Sequence, residues 1–191
     1  MGTLTLFALQ AVIYASFPYY FATLRKPIRE VSFYVYIGIV LAFGGFLGSV
    51  YAFPITKAIN ISGGNLAYGA LMMTTILLVI IEKNAAVIRN VIRLVIAVNV
   101  FVVLFFTSLT WALQNAHILN PNQTSFAIFH TSVYFTILGG SLIILELSVL
   151  VFLFEKAKQW VTNIFGLSVI YTLLFILVLC LDGVLFPTIA F

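Results

Sequence analysis

Charged side chains in this sequence fall in short clusters, RKPIRE, EKNAAVIR and EKAKQW, and the stretches between them are apolar over long runs. That spacing restricts the fold more than any other feature. The hydrocarbon core of a bilayer is about 30 Å thick, and a helix needs roughly 20 apolar residues to cross it, because lipid offers an unpaired backbone group no partner. Strands of a membrane barrel would instead show alternating segments of about ten residues, a pattern the sequence lacks. With 63% hydrophobic and 7% charged residues over 191 positions and a mean hydropathy of +1.21, the chain lies far outside the composition of soluble domains, which are about half apolar.

The charged interruptions mark six spans, from Thr3 to Leu24, Ser32 to Phe53, Asn65 to Ile81, Val91 to Leu113, Ser132 to Phe154 and Val161 to Leu181. The expected fold is therefore all-α, a polytopic transmembrane helical bundle forming a single domain over residues 1–191. The first run has no basic segment before it and no small-residue cleavage pattern after it, so it reads as a span rather than a signal peptide. Pro27, Pro54 and Pro121 are placed in loops, where proline costs no helix hydrogen bond. So is the whole segment PITKAINISGG.

Of the nine lysines and arginines, only Lys57 falls outside the first, third and fifth connections. Basic residues favour the cytoplasmic side, so loops 25–31, 82–93 and 155–160 are expected inside, with both termini outside. A cytoplasmic output domain after Phe191 would then need a seventh span to lead into it.

The same distribution explains the net charge of +4 without nucleic acid as a partner. The lone Cys180 permits no intrachain disulfide, and His117 and His130 lack a second ligand on a shared helical face, so no metal site is expected. No nucleophile, base and orienter stand at recognisable spacing and no phosphate loop is present; neither an enzyme nor a cofactor is expected.

Ionisable groups inside a bilayer are costly enough to be functional candidates by default. Glu146 precedes Lys156 by roughly 15 Å of helix at about 1.5 Å per residue, near mid-membrane. Ser132, Thr136, Gly139, Ile143 and Glu146 share one polar and small face, which should look into the bundle. Asn99 lies roughly 9 Å from Arg93 along the fourth span and is a candidate partner for a neutral Glu146, the alternative being that the two only tie helices together. In the third span Asn65, Tyr68, Met72 and Thr75 form a second stripe. The glycines before it, Gly63 and Gly64, allow a close approach at a helix N-terminus, or simply a tight turn. Asp182 is carried to the outer face, where Gly183 and Pro187 should loosen the sixth helix. Gly44 with Gly48 and Gly45 with Ser49 give a doubled small-residue pattern suited to helix packing.

Three segments carry a family resemblance. "FPITKAINISGGNLAYGALMMTTILLVIIEKN" resembles the second-loop and third-helix region of the vitamin-uptake-type transporters, which include queuosine-precursor transporters. "LGGSLIILELSVLVFLFEKAKQW" is similar to their fifth-helix region, and "LCLDGVLFPTIAF" to their late helix, with Asp182 as its acid. Where those transporters place a Thr-Asp pair in the third helix, this chain has Thr74 and Thr75, and its nearest acid there is Glu82. "EKNAAVIRNVIRLVIAVN" resembles the use of such bundles as membrane input halves of bacterial signalling proteins.

The resemblance implies a multi-pass module of the bacterial inner membrane that binds a small molecule and passes a helix shift to a fused or associated cytoplasmic output domain. Its candidate contacts are Asn65, Tyr68, Thr75, Asn99, Glu146 and Asp182. The alternatives are a carrier, or the substrate-binding subunit of an importer, for a vitamin- or nucleobase-like compound, and a purely structural bundle. Partners are the bilayer, the small molecule and, in an oligomer, further copies of the chain.

Overall fold

The computed structural model describes residues 2–55, 60–84, 86–161 and 163–190, with side chains described as far as Leu181 except at Ile164. Within them the chain forms α1 (Thr3–Ala22), α2 (Lys26–Val50), β1 (Ala52–Pro54), β2 (Asn60–Ser62), α3 (Gly63–Glu82), α4 (Ala86–Gln114), α5 (Phe126–Trp160) and α6 (Ile164–Ala190). The helical bundle expected from the hydropathy pattern is present. Helices α1 to α5 are each long and apolar enough to cross a membrane, and α6 contributes the shorter apolar stretch Phe165–Leu181.

The ends follow local chemistry. Ser125 opens α5 by accepting from the amide of Ala127, the side-chain cap that replaces a missing helical acceptor. Ser62 does the same for Asn65 at the start of α3. At the other end of α3 the chain reverses through Lys83 in the left-handed region, φ 54°. Pro27 is not in a loop: it sits in the first turn of α2, where its absent N–H would have been unpaired anyway. Pro18 lies inside α1. The helix α6 is unbroken through Gly183 and Pro187, contrary to the expected loosening near Asp182; a proline tolerated in a membrane helix needs no break when neighbours re-satisfy the backbone.

The segment read as a loop contains an antiparallel pair, Ala52 with Ser62, Phe53 with Ile61 and Pro54 with Asn60. It is tethered to the first helix. Phe53 meets Phe7 edge-on at 5.9 Å and Tyr51 at 5.4 Å, while the Tyr51 hydroxyl donates to Gln10 Oε1 at 2.8 Å.

In the bundle α2 is central, packed against α3 on one side and α5 on the other, with α4 running along α5 and α6 touching both α5 and α3. Its two small-residue stripes explain the arrangement. Gly48 lies against Gly64, and a Cβ on Gly44 would stand 3.5 Å from that of Ala67, which seats α3. Gly45 and Ser49 face α5, where Gly45 backs onto Thr136 and the Ser49 hydroxyl pairs with Ser132 at 2.8 Å. Phe33, Ile37, Leu71, Leu78, Val95, Leu147, Leu150 and Phe154 fill the interior. Helix α6 joins through Tyr171, stacked on Phe154 at 4.1 Å. Outward faces such as Val100, Phe101 and Leu104 on α4 are more than half exposed, as lipid-facing side chains are once no hydrophobic penalty attaches to them.

Charges collect at one end of the bundle. Glu82, closing α3, takes the Arg29 guanidinium through Nε at 3.0 Å and Nη2 at 2.6 Å, and Lys26 at 3.4 Å. Arg89 and Glu155 join α4 to α5 at 2.5 Å. The hairpin and the start of α5 lie at the opposite end.

Candidate functional site

Tyr68 and Glu146 form the polar centre of the bundle. The Tyr68 hydroxyl donates to Glu146 Oε2 at 2.5 Å. Glu146 is 5% exposed, and Tyr68 is half-buried. The bond matters for where it lies. Helices α3 and α5 each pack on α2, and this bond joins them directly to each other. A carboxyl group deep in an apolar bundle is expensive unless hydrogen-bonded, and a charge-assisted or strongly polarised O–H···O bond is the shortest and strongest kind a phenol can offer it.

The expectation that Glu146 faces the interior holds, and the face proposed for it is buried at Ser132, Thr136 and Ile143. Its expected partner does not hold. Asn99 lies against Gly140, where any Cβ would run into its side-chain amide. Gly140 is six residues from Glu146, which on a helix is about 9 Å along the axis and about 120° around it. The amide therefore serves the α4–α5 seam, and the carboxyl looks toward α3.

Along α3 the predicted stripe divides. Met72 and Thr75 are fully buried below Tyr68. The Thr75 hydroxyl donates to the Leu71 carbonyl at 2.9 Å and that of Thr74 to Ala70 at 2.5 Å, so both threonines return their hydrogen bonds to their own helix. Asn65 is exposed at the helix start, its side chain and amide engaged with Ser62. It belongs to the cap rather than to the interior. The close approach allowed by Gly63 is used by the protein itself: the Tyr51 ring lies over it, where a Cβ would stand 2.6 to 2.8 Å from ring atoms and hydroxyl. The side chain of Asp182 lies outside the described residues.

Of the six sequence candidates, then, Tyr68 and Glu146 come together, Thr75 lies two turns along the same helix, and Asn65 and Asn99 sit elsewhere. Sequence reasoning passed over the polar pairs Gln10–Tyr51 and Ser49–Ser132. Gln10 was the legible signal, a lone amide inside an apolar run. Among the described residues no group of three or more His, Cys, Asp or Glu side chains could hold a metal ion.

What this arrangement can do chemically is exchange partners. A phenol and a carboxyl that already meet between two helices can open to receive a small molecule with donors and acceptors of its own, at the cost of one hydrogen bond, about 1–3 kcal/mol. The sequence profile of a family described as "Vitamin uptake-like sensor" matches residues 17–191. No curated protein and no solved structure matches the chain.

Proposed function

The chain belongs to the vitamin uptake-like sensor family, and on that footing we propose that it is the membrane-embedded input module of a bacterial signalling protein, binding a small vitamin- or nucleobase-like molecule at Tyr68 and Glu146. The observation that carries the reading is the 2.5 Å bond between these side chains across α3 and α5. A ligand that separates them acts on two helices at once. Because α3 ends in the Glu82 clamp and α5 in the Arg89–Glu155 pair, a shift at the centre is delivered to the basic end. The distribution of lysine and arginine supports a cytoplasmic location for that end, with the output, fused or associated, on that side of the inner membrane. The module binds without catalysis, and nucleic acid has no part in it.

The carrier reading is disfavoured by Thr74 and Thr75. A transporter of the resembling type has an acid in that part of the third helix; here both positions are threonines bonded to their own backbone, so no titratable group is offered there to couple movement to a proton.

The test is a thermal-unfolding screen of the purified protein against vitamins, nucleobases and their precursors, paired with uptake assays in vesicles. A compound that raises the unfolding midpoint but does not accumulate in vesicles supports the sensor. Accumulation inside vesicles replaces it with the carrier, and a screen in which no compound shifts the midpoint leaves a structural bundle.

A further inference from the structure

At the basic end, the seam between α4 and α5 carries two cations that the protein does not match. The ion pair of Arg89 with Glu155 bridges this seam on its outward side, where the two side chains are 59% and 50% exposed. Arg93 is exposed one turn further along α4 on the same face, about 6 Å deeper in the bilayer than Arg89. Phe152, 60% exposed, is one turn back along α5 from Glu155 and about 4.5 Å deeper. Arg93 and Phe152 therefore flank the seam at nearly one depth. The Lys156 ammonium is brought toward that depth too, 5.9 Å from the centre of the Phe152 ring. A lysine near a helix end ordinarily extends its charge toward water; this one folds back along its helix.

The carboxylates at this end are already engaged. Lys26 and Arg29 hold Glu30 and Glu82, and Arg89 holds Glu155. Among the described residues no ion pair reaches Arg93 or Lys156, and a ring face leaves the charge of an ammonium uncancelled. Deeper in the bilayer the seam is apolar. Ile96 and Val100 continue the Arg93 face of α4 and Leu145 that of Phe152 on α5, all three about half exposed.

We propose that this seam binds one anionic phospholipid of the leaflet at the basic end, its phosphate between Arg93 and Lys156 and its acyl chains along Ile96, Val100 and Leu145. Charge and depth select the occupant. Basic groups set between membrane helices at the level of the head groups suit a negative lipid head, and a guanidinium takes two phosphate oxygens at once. A soluble phosphate would leave the apolar part of the groove unused, and a helix of another protein would have to carry an acid into the bilayer. A lipid seated there braces α4 on α5, the helix that carries Glu146, yet the site stands without any ligand at Tyr68 and Glu146.

Native mass spectrometry of the full chain, released from micelles holding equal amounts of phosphatidylglycerol and phosphatidylethanolamine, tests the site. The native protein should retain phosphatidylglycerol in preference. Arg93→Gln and Lys156→Gln should each weaken that retention by about fivefold, the contribution of one cation at a lipid surface, and leave phosphatidylethanolamine unchanged. Arg25→Gln removes an exposed cation of the same end outside the seam and should behave as the native protein. Equal retention of the two lipids by the native protein, or losses in both seam variants no larger than in Arg25→Gln, overturns the proposal. Excess glycerol 1-phosphate, the same head chemistry without chains, should not displace the lipid; displacement reduces the site to a soluble-anion contact and also overturns it. If circular dichroism shows one seam variant unfolded, the other decides, and the lipid preference of the native protein decides if both are. A ligand screen that finds nothing leaves this result standing, and failure here leaves the binding assignment of Tyr68 and Glu146 untouched.

Discussion

The Tyr36 hydroxyl on α2 donates a 2.7 Å hydrogen bond to the main-chain oxygen of Tyr14 on α1, the carbonyl that Pro18, four residues later, leaves without its helical N–H. A proline in a membrane helix frees one such acceptor, and in lipid a neighbouring side chain must supply the donor. Tyr36 does so, which explains how α1 tolerates Pro18 in its interior and why its loosely packed length is held against α2 at this level. Tyr36→Phe should therefore destabilise the protein by about 1–3 kcal/mol, the cost of a buried acceptor left unmet. Adding Pro18→Ala restores an N–H to the same carbonyl and should recover most of that loss. Denaturant unfolding of the solubilised single and double variants measures both; an additive double variant would mean the bond is incidental.

The adjacent glycines of α5 should behave oppositely. Gly140→Ala forces a methyl into the Asn99 amide and should cost about 1–3 kcal/mol as overpacking, with relief when Asn99 is shortened to Ala. Gly139→Ala meets no described atom within 4 Å and should be neutral or slightly stabilising, since alanine is the better helix former by about 1 kcal/mol. The comparison is read from the unfolding midpoints of the three proteins.

At the basic end the two cations on Glu82 are unequal. Arg29 has 18% of its side chain exposed and Lys26 69%, around a carboxylate with 6%. Removing Arg29 as Arg29→Met strands a nearly buried carboxylate and should cost about 3 kcal/mol, whereas Lys26→Met should fall within about 1 kcal/mol, the range of an exposed ion pair. Equal losses would show that the guanidinium geometry contributes nothing special.

Gly63→Ala should free the hairpin without unfolding the bundle. A Cβ there displaces the Tyr51 ring, and with it the hydrogen bond to Gln10. Hydrogen exchange should accelerate at the amides of Ala52, Phe53 and 60–62 while protection in the middle of α3 stays unchanged; coupled loss of both would make the hairpin part of the helical core.

The bundle was legible because lipid imposes one rule on every span, and the charged interruptions report that rule directly. The inward direction of Glu146 was legible for the same reason: an acid facing acyl chains has no partner. Which residue it meets was not. Asn99 and Tyr68 are both polar residues in neighbouring spans, and the choice between them depends on rotation and register between helices, set here by Gly44, Gly48 and Gly45 pressing α2 onto two partners at once. The hairpin escaped notice because its strands, Ala52–Pro54 and Asn60–Ser62, are three residues each, too short for alternation to register. Thr75 sat on the right helical stripe, but a threonine in a helix has its own backbone carbonyl within reach, and periodicity cannot tell a hydroxyl offered to a ligand from one returned to Leu71.

The most direct measurement is an equilibrium binding isotherm, in lipid nanodiscs, for the compound giving the largest stabilisation in the screen of vitamins and nucleobases, with the native protein, Tyr68→Phe and Glu146→Gln compared at matched folding. Loss of at least about tenfold in affinity in each variant, about 1.4 kcal/mol, with helical content unchanged, is the predicted result. Affinity equal to the native protein's in both variants would contradict it.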